Sequence, residues 1–258
     1  MLRLRTFGGL WIETDDGTRV QSPRPRRLAL LAILAAAGRR GVSRGRLRTI
    51  FWPDSDDDRA RHALSQTLYA LRRDLGLSPV NAESDLRLDP DTMASDTDQF
   101  HEAVVRKDWA TAARLYQGTF AAGFSLEDAP EFDRWLDETR TGLAREAEAV
   151  LLALAREAEA GGELRRLVEV RQRLTGLAPL SAAHALSYMK VLAALGDRAG
   201  ALAHAKQHVA LLRRELECEP DPTIVQLADQ LRSEGQFSEQ PDSALPSVAA
   251  SSAGVPQS

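Results

Sequence analysis

A single cysteine, Cys218, stands among 258 residues. It has no partner for an internal disulfide, and one thiolate is too few for a multi-cysteine metal site. Long apolar runs are equally scarce. The longest, Leu28 to Ala37, is about half of what a membrane-spanning helix requires. The opening MLRLRTFGGLW has neither the apolar core nor the small-residue cleavage site of a secretory signal. The expected location is therefore the cytoplasm, with no membrane partner. Enzymatic signatures are missing too: there is no glycine-rich phosphate loop, no nucleophile elbow, and no pair of carboxylates in a cleft-like setting. No catalytic residue and no cofactor is expected.

What the chain does hold is ordinary for a globular protein, at 43% hydrophobic and 27% charged residues. Its length allows two domains. The net charge of −4 conceals an asymmetry. The first 52 residues carry eleven arginines against Glu13, Asp15 and Asp16, so the remainder is strongly acidic. A basic segment on an acidic chain suits an anionic partner for one domain only. Every basic residue in that segment is arginine, whose planar fork matches phosphate and guanine. Arginine-rich, alanine-rich sequence also follows from GC-rich coding, so charge alone does not decide.

Local patterns divide the chain. LRLRTF alternates apolar and basic residues, GLWIET follows, and Asp16-Gly17 turns into a further strand. RRLALLAILAAAG, after Pro25, reads as a helix closed by Gly38. Ser43 is a candidate N-cap for a helix over 43–51, whose apolar face is Leu47, Ile50 and Phe51. PDSDDD is an acidic loop whose last Asp can cap the next helix, RARHALSQTLYALRRDLG. PVNAESDLRLDP then reads as two short strands around Glu83 to Asp85. From Phe100 the chain is nearly all helical, with segments expected at 98–106, 109–119, 131–160, 164–175, 181–195, 198–216 and 222–234. Gly162 and Gly196 lie one tetratricopeptide-like period apart. Residues 235–258 are rich in Ser, Ala and Pro and read as a disordered tail or linker. The fold class expected is mainly α with small β sheets: a winged helix-turn-helix followed by an all-α, tetratricopeptide-like repeat domain.

The helix at 59–75 carries the sharpest candidate site. At about 100° per residue, Leu64, Leu68, Leu71 and Leu75 share one stripe. The opposite side presents Arg59, His62, Gln66 and Arg73 with Tyr69 on its flank, and Ala63 and Ala70 allow close approach. Arg and Gln are the side chains that read guanine and adenine edges in a major groove. The same composition also suits a solvated face. Arg44, Arg46 and Arg48 lie on or beside the preceding helix as candidate phosphate ligands. Arg24, Arg26 and Arg27 read as solvated, and Trp52, Trp109 and Trp135 as packing residues. His204 and His208 are one helical turn apart, but no third ligand has convincing metal spacing.

The order of elements over residues 1–98 resembles an OmpR/PhoB-type winged-helix domain. It rests on the N-terminal strands, RRLALLAILAAAGRRGVSRGRLRTIFWPD, RARHALSQTLYALRRDLG and the hairpin. Residues 99–234 resemble the bacterial transcriptional activator domain, through KDWATAARLYQGTF, EFDRWLDETRTGLAREAEAVLLALA and DRAGALAHAKQHVALLRRELECEPDPTIVQLADQL. The tandem is similar to the Streptomyces antibiotic regulatory protein class. The resemblance implies a DNA-binding activator whose helix 59–75 enters the major groove, with helix 43–51 positioning it. It implies that the loop 52–58 faces RNA polymerase and that the wing from Glu83 to Arg87 touches the duplex. It further implies direct-repeat DNA sites, occupied by side-by-side protomers in a homo-oligomer. The wing tip NAESD is acidic where arginine or lysine would suit DNA, leaving Arg87 nearby. That departure supports the alternative of a protein-interaction adapter with weak or no DNA binding.

Overall fold

The computed structural model describes residues 1–21, 23–81 and 85–237, with side chains to Glu234. Residues 82–84 of the expected wing tip NAESD (81–85) lie outside the described residues, as does the expected tail of 235–258 beyond 237, its first three residues being helical. The chain divides into two compact units, parted between Leu177 and Ala178. The boundary expected after residue 98 falls inside the first unit.

That unit begins with β1 (Leu2–Arg5) and β2 (Trp11–Thr14), paired antiparallel with Leu4 opposite Ile12. The further strand expected after Asp16-Gly17 reduces to one bridge, Glu13 to Arg19. The alternation in β1 follows its burial: Leu2 and Leu4 point inward and Arg3 outward. α1 (Pro25–Ala37) starts on a proline at its first turn, where the missing N–H is harmless. Eight successive residues, Leu28 to Ala35, are buried. A helix apolar on all sides must be enclosed on all sides, and α1 is the axis of the N-terminal part.

α2 (Arg44–Phe51) opens as expected on Ser43, whose Oγ accepts the Arg46 amide at 3.2 Å. α3 (Asp57–Leu75) starts earlier than expected. Its cap is Asp56, which accepts the Arg59 amide at 2.8 Å. Asp57 and Asp58, the latter expected as the cap, fall instead in the first turn, where carboxylates oppose the helix's positive end. Gly76 ends α3 in a left-handed conformation with φ 67°. A two-stranded hairpin follows, β3 (Val80–Asn81) with β4 (Arg87–Leu88), and Val42 bridges to Leu86. Helix, helix, helix and hairpin together form the winged helix.

β5 (Met93–Ser95) was not legible in the sequence. It pairs parallel to β1, Leu2 opposite Met93, and runs without a break into α4 (Asp96–Val105). There Asp96 is buried, and its carboxylate accepts the amides of Thr6 (2.9 and 3.0 Å), Phe7 (3.2 Å) and Thr97 (2.9 Å). The Thr6 hydroxyl also donates to it. Burial pushes the carboxyl above its usual range, and the hydrogen bonds from Thr6 and Phe7 oppose that shift. Around this knot pack Phe7, Phe100, Tyr116 and Phe120, with Phe7 4.8 Å from Tyr116 and 5.5 Å from Phe100.

α5 (Trp109–Leu115) stops before its expected end at 119. The chain must pass close to the N-terminal segment: a Cβ on Gly118 would meet the Gly8 Cα at 3.1 Å, and Phe120 bridges Phe7. Arg140 holds the following loop by donating to the carbonyls of Phe120 (3.0 Å) and Ala121 (2.7 Å). α6 (Pro130–Ala160) and α7 (Leu164–Leu177) complete the unit as a helical hairpin.

The second unit contains α8 (Ala182–Ala194), α9 (Arg198–Leu216) and α10 (Pro222–Phe237). Leu167 of the α6–α7 hairpin and Ala201 of α9, 34 positions later, are both buried, and Gly162 and Gly196 turn their hairpins at φ 66° and 83°. The tetratricopeptide-like period thus has a structural counterpart. On α9, His208 is buried with Nδ1 3.1 Å from the Pro179 carbonyl, and His204 stands edge-on to Tyr188. The Nε2 atoms of both histidines are buried without a hydrogen-bond partner among the described residues. No set of three metal-ligating side chains occurs among the described residues.

Two expectations follow. Asp96→Ala leaves three buried amides without an acceptor, and should cost about 3 kcal/mol of stability. Asp96→Asn, which keeps one acceptor oxygen, should cost less; equal urea midpoints for wild type and Asp96→Ala would show the knot to be dispensable. Burial, then the neighbouring His208, holds the His204 imidazole below its usual value. The unfolded chain therefore takes up the proton first as pH falls, so stability present at neutral pH is lost below about 6.5. Because the raised carboxyls of Asp96 and Asp98 act in the opposite sense, the test is the difference: from pH 7.5 to 5 the urea midpoint of wild type should fall relative to that of His204→Asn, and a constant difference would contradict this sign.

Candidate nucleic-acid interface

The stripe arithmetic for α3 holds in three dimensions. Leu64 and Leu71 are fully buried with Ala60, while Leu68 and Leu75 are half-buried. On the opposite side Arg59, His62, Gln66, Tyr69 and Arg73 are all exposed, Tyr69 by 66%. These five fall within roughly a third of the helix circumference. His62 and Gln66, one turn apart, lie with their Nε2 atoms 3.4 Å from each other. Arg73 makes no ion pair among the described residues. The surface is therefore a contiguous, solvated row of donors and acceptors on a rigid helix, with the small, half-buried Ala63 and Ala70 along one flank.

The amino end of α3 is different. Arg59 Nε lies 3.1 Å from the carboxylate of its own cap, Asp56. Arg61 pairs with Asp57 and, at 3.4 Å, with Asp58. Arg48 reaches across from α2 to Asp57 at 2.5 Å. Arg48 is mostly buried, and its Nε and Nη1 form no hydrogen bond of good geometry among the described residues. The contact with Asp57 is thus chiefly charge against charge. The acidic stretch from Pro53 to Asp58, the loop and the first two residues of α3, is exposed and neutralises arginines that phosphate would otherwise attract.

The other expected phosphate ligands do not gather on one surface. Arg44 is exposed one turn before Arg48, on the same side of α2. Arg46 is exposed on the other side, where it lines a cavity among α1, α2, α4 and α6. Arg87, on β4, lines a separate cavity of about 580 Å³ beside Asp98 and Glu102. Of the two carboxylates in that lining, Asp98 is held above its usual range first by burial and then by Glu102, and Glu102 pairs with Arg39 and Arg106.

Two arginines read as solvated have fixed contacts. Arg27 pairs with Asp74 and so ties α1 to the end of α3, and the Arg26 guanidinium lies 5.7 Å from the Trp52 ring centre. Arg61 was not singled out, because the wheel places it about 120° from the centre of the α3 row. Its pairing with Asp57 and Asp58 follows the i, i+4 and i, i+3 spacing of a helix, a pattern the sequence carries once α3 is started at Asp57.

Residues 90–232 match the bacterial transcriptional activator domain. No curated protein matches the chain. Among solved structures, the fold is similar to Mycobacterium tuberculosis EmbR in complex with a low-affinity phosphopeptide. The TM-score is 0.59 and the identity 21%, over 90% of this chain and 65% of that one. The chain thus spans less than two thirds of the length of that structure, and the likeness is one of fold.

Proposed function

This chain belongs to the bacterial transcriptional activator domain family, and on that premise we propose that it is a sequence-specific DNA-binding regulator that activates transcription. The carrying observation is the exposed α3 row of Arg59, His62, Gln66, Tyr69 and Arg73 on a winged helix. A helix of this diameter fits a major groove, and the row supplies the bidentate donors and acceptors that separate one base pair from another. In this reading residues 1–98 bind duplex DNA at direct repeats, and 99–234 mediate contacts between protomers. Arg44 takes phosphate. The exposed acidic loop at 53–58 is offered to a basic surface of RNA polymerase. The protein acts without catalysis or cofactor, in the cytoplasm.

Phosphate contact supplies affinity and base contact specificity. The short supply of free arginine around α3 therefore matters. A second reading, a protein-interaction adapter with little DNA affinity, is favoured by one observation: Asp56, Asp57 and Asp58 occupy Arg48, Arg59 and Arg61.

Selection from random duplexes, repeated across a salt series, separates the two. An enriched repeated motif with affinity falling steeply in salt supports the regulator; no enrichment and flat salt dependence supports the adapter. On the enriched site, Gln66→Ala with Arg73→Ala should flatten base preference by roughly 1–3 kcal/mol at the positions read. Unchanged discrimination would remove this face from the interface. Asp57→Asn releases Arg48 and loosens Arg61, so non-specific duplex binding in anisotropy titrations should tighten a few-fold. Its salt slope should steepen by about one; weaker binding would place both arginines away from phosphate.

A further inference from the structure

Arg46, expected on the DNA side, points to something else. It lines a cavity of about 650 Å³ walled by α1, α2, α4 and α6, a size in the range of small-molecule sites. Its walls are mixed. Ile33, Ile50 and Leu143 supply apolar surface, and Trp135 adds a half-buried aromatic ring, backed by Phe132 at 5.4 Å and Phe120 at 6.2 Å. At Gly142 a Cβ would meet nothing within 4 Å, so the α6 wall is open there.

The charge in this cavity is unbalanced. Arg40 and Arg46 both line it, and neither forms an ion pair among the described residues. The amino end of α2 opens on the same space through Ser43, adding partial positive charge. The one carboxylate in the lining, Glu146, lies 3.4 Å from His101. Two arginines without an ion pair among the described residues, in a lining that also holds Trp135, match an anion carried on a flat apolar body. The forks take the oxygen atoms, and the tryptophan covers the ring.

We propose that this cavity is an effector site for a small aromatic anion, a carboxylate or a phosphate ester. Its walls come from both parts of the first unit: α1 and α2 belong to the winged helix, and α4 and α6 to the matched domain. An occupant would touch the positioning helix through Arg46 and α6 through Trp135 at once. Any difference in its affinity between two arrangements of those helices would shift their balance.

Calorimetric titration tests the site on the full chain without DNA, so its failure leaves the DNA-binding proposal standing. The probes are 2-naphthoate, 2-naphthyl phosphate and the neutral 2-naphthamide. We expect one saturable site for at least one anion, the tighter of the two naming the class. The amide should bind at least about tenfold more weakly, the equivalent of one charge-assisted hydrogen bond. Arg40→Ala with Arg46→Ala, both exposed and free to change without disturbing the core, should lose a similar factor. Trp135→Leu should also weaken binding, and Arg114→Ala, outside the cavity, should not. The proposal is overturned if neither anion saturates, if the amide binds as well as the anions, or if the double arginine variant binds like wild type.

Discussion

The carboxylate of Asp96 is the point on which the first unit depends. It sits at the first turn of α4, where β5 has just ended, and it receives amides from the end of β1. One side chain thereby joins the chain's opening strand to a helix some ninety residues later. A buried carboxylate is tolerable only when its lone pairs are filled. The donors that fill them fix β1, β5 and α4 in one arrangement. The aromatic cluster of Phe7, Phe100, Tyr116 and Phe120 assembles on that arrangement. The winged helix and the first helices of the matched domain consequently share a core, and α1 runs through it.

Much of this was legible from residue pattern. The helices announce themselves because their leucines and alanines repeat at helical spacing and their ends carry Ser43, Gly76, Gly162 or Gly196. The exposed row on α3 was legible for the same reason, since a helix fixes which residues share a side. What escaped was set by distant partners. Met93–Ser95 has no strand signal of its own and is a strand only because β1 lies beside it. The α5 helix ends early because Gly8 and Gly118 approach one another across the unit. Arg46 and Arg48 are two residues apart and share a chemistry, yet one lines a cavity and the other meets Asp57. Periodicity says that they point in different directions; it does not say what each will meet.

The pairing of the loop with α3 sets a balance of charge within a few residues. The same aspartates cap the helix, oppose its dipole and hold arginines. Three local advantages therefore favour acid at positions where phosphate affinity would favour its removal. Under the proposed function, readout would lean on the middle and end of the helix, on Gln66 and Arg73, rather than on its start.

The long helix α6 carries a last consequence. Its first turn stacks Phe132 on Phe51 of α2, and its last turn offers Glu159 to Arg171 of α7 at 2.7 Å. The two ends are about 45 Å apart along one uninterrupted axis. Adding or deleting a single residue between them would rotate one end by about 100° against the other and take both contacts out of phase. Substitutions on its exposed side are absorbed locally, but its length is not free to drift. Lineages of this fold are thus expected to vary α6 in composition while conserving its count of residues, with insertions confined to the turns on either side.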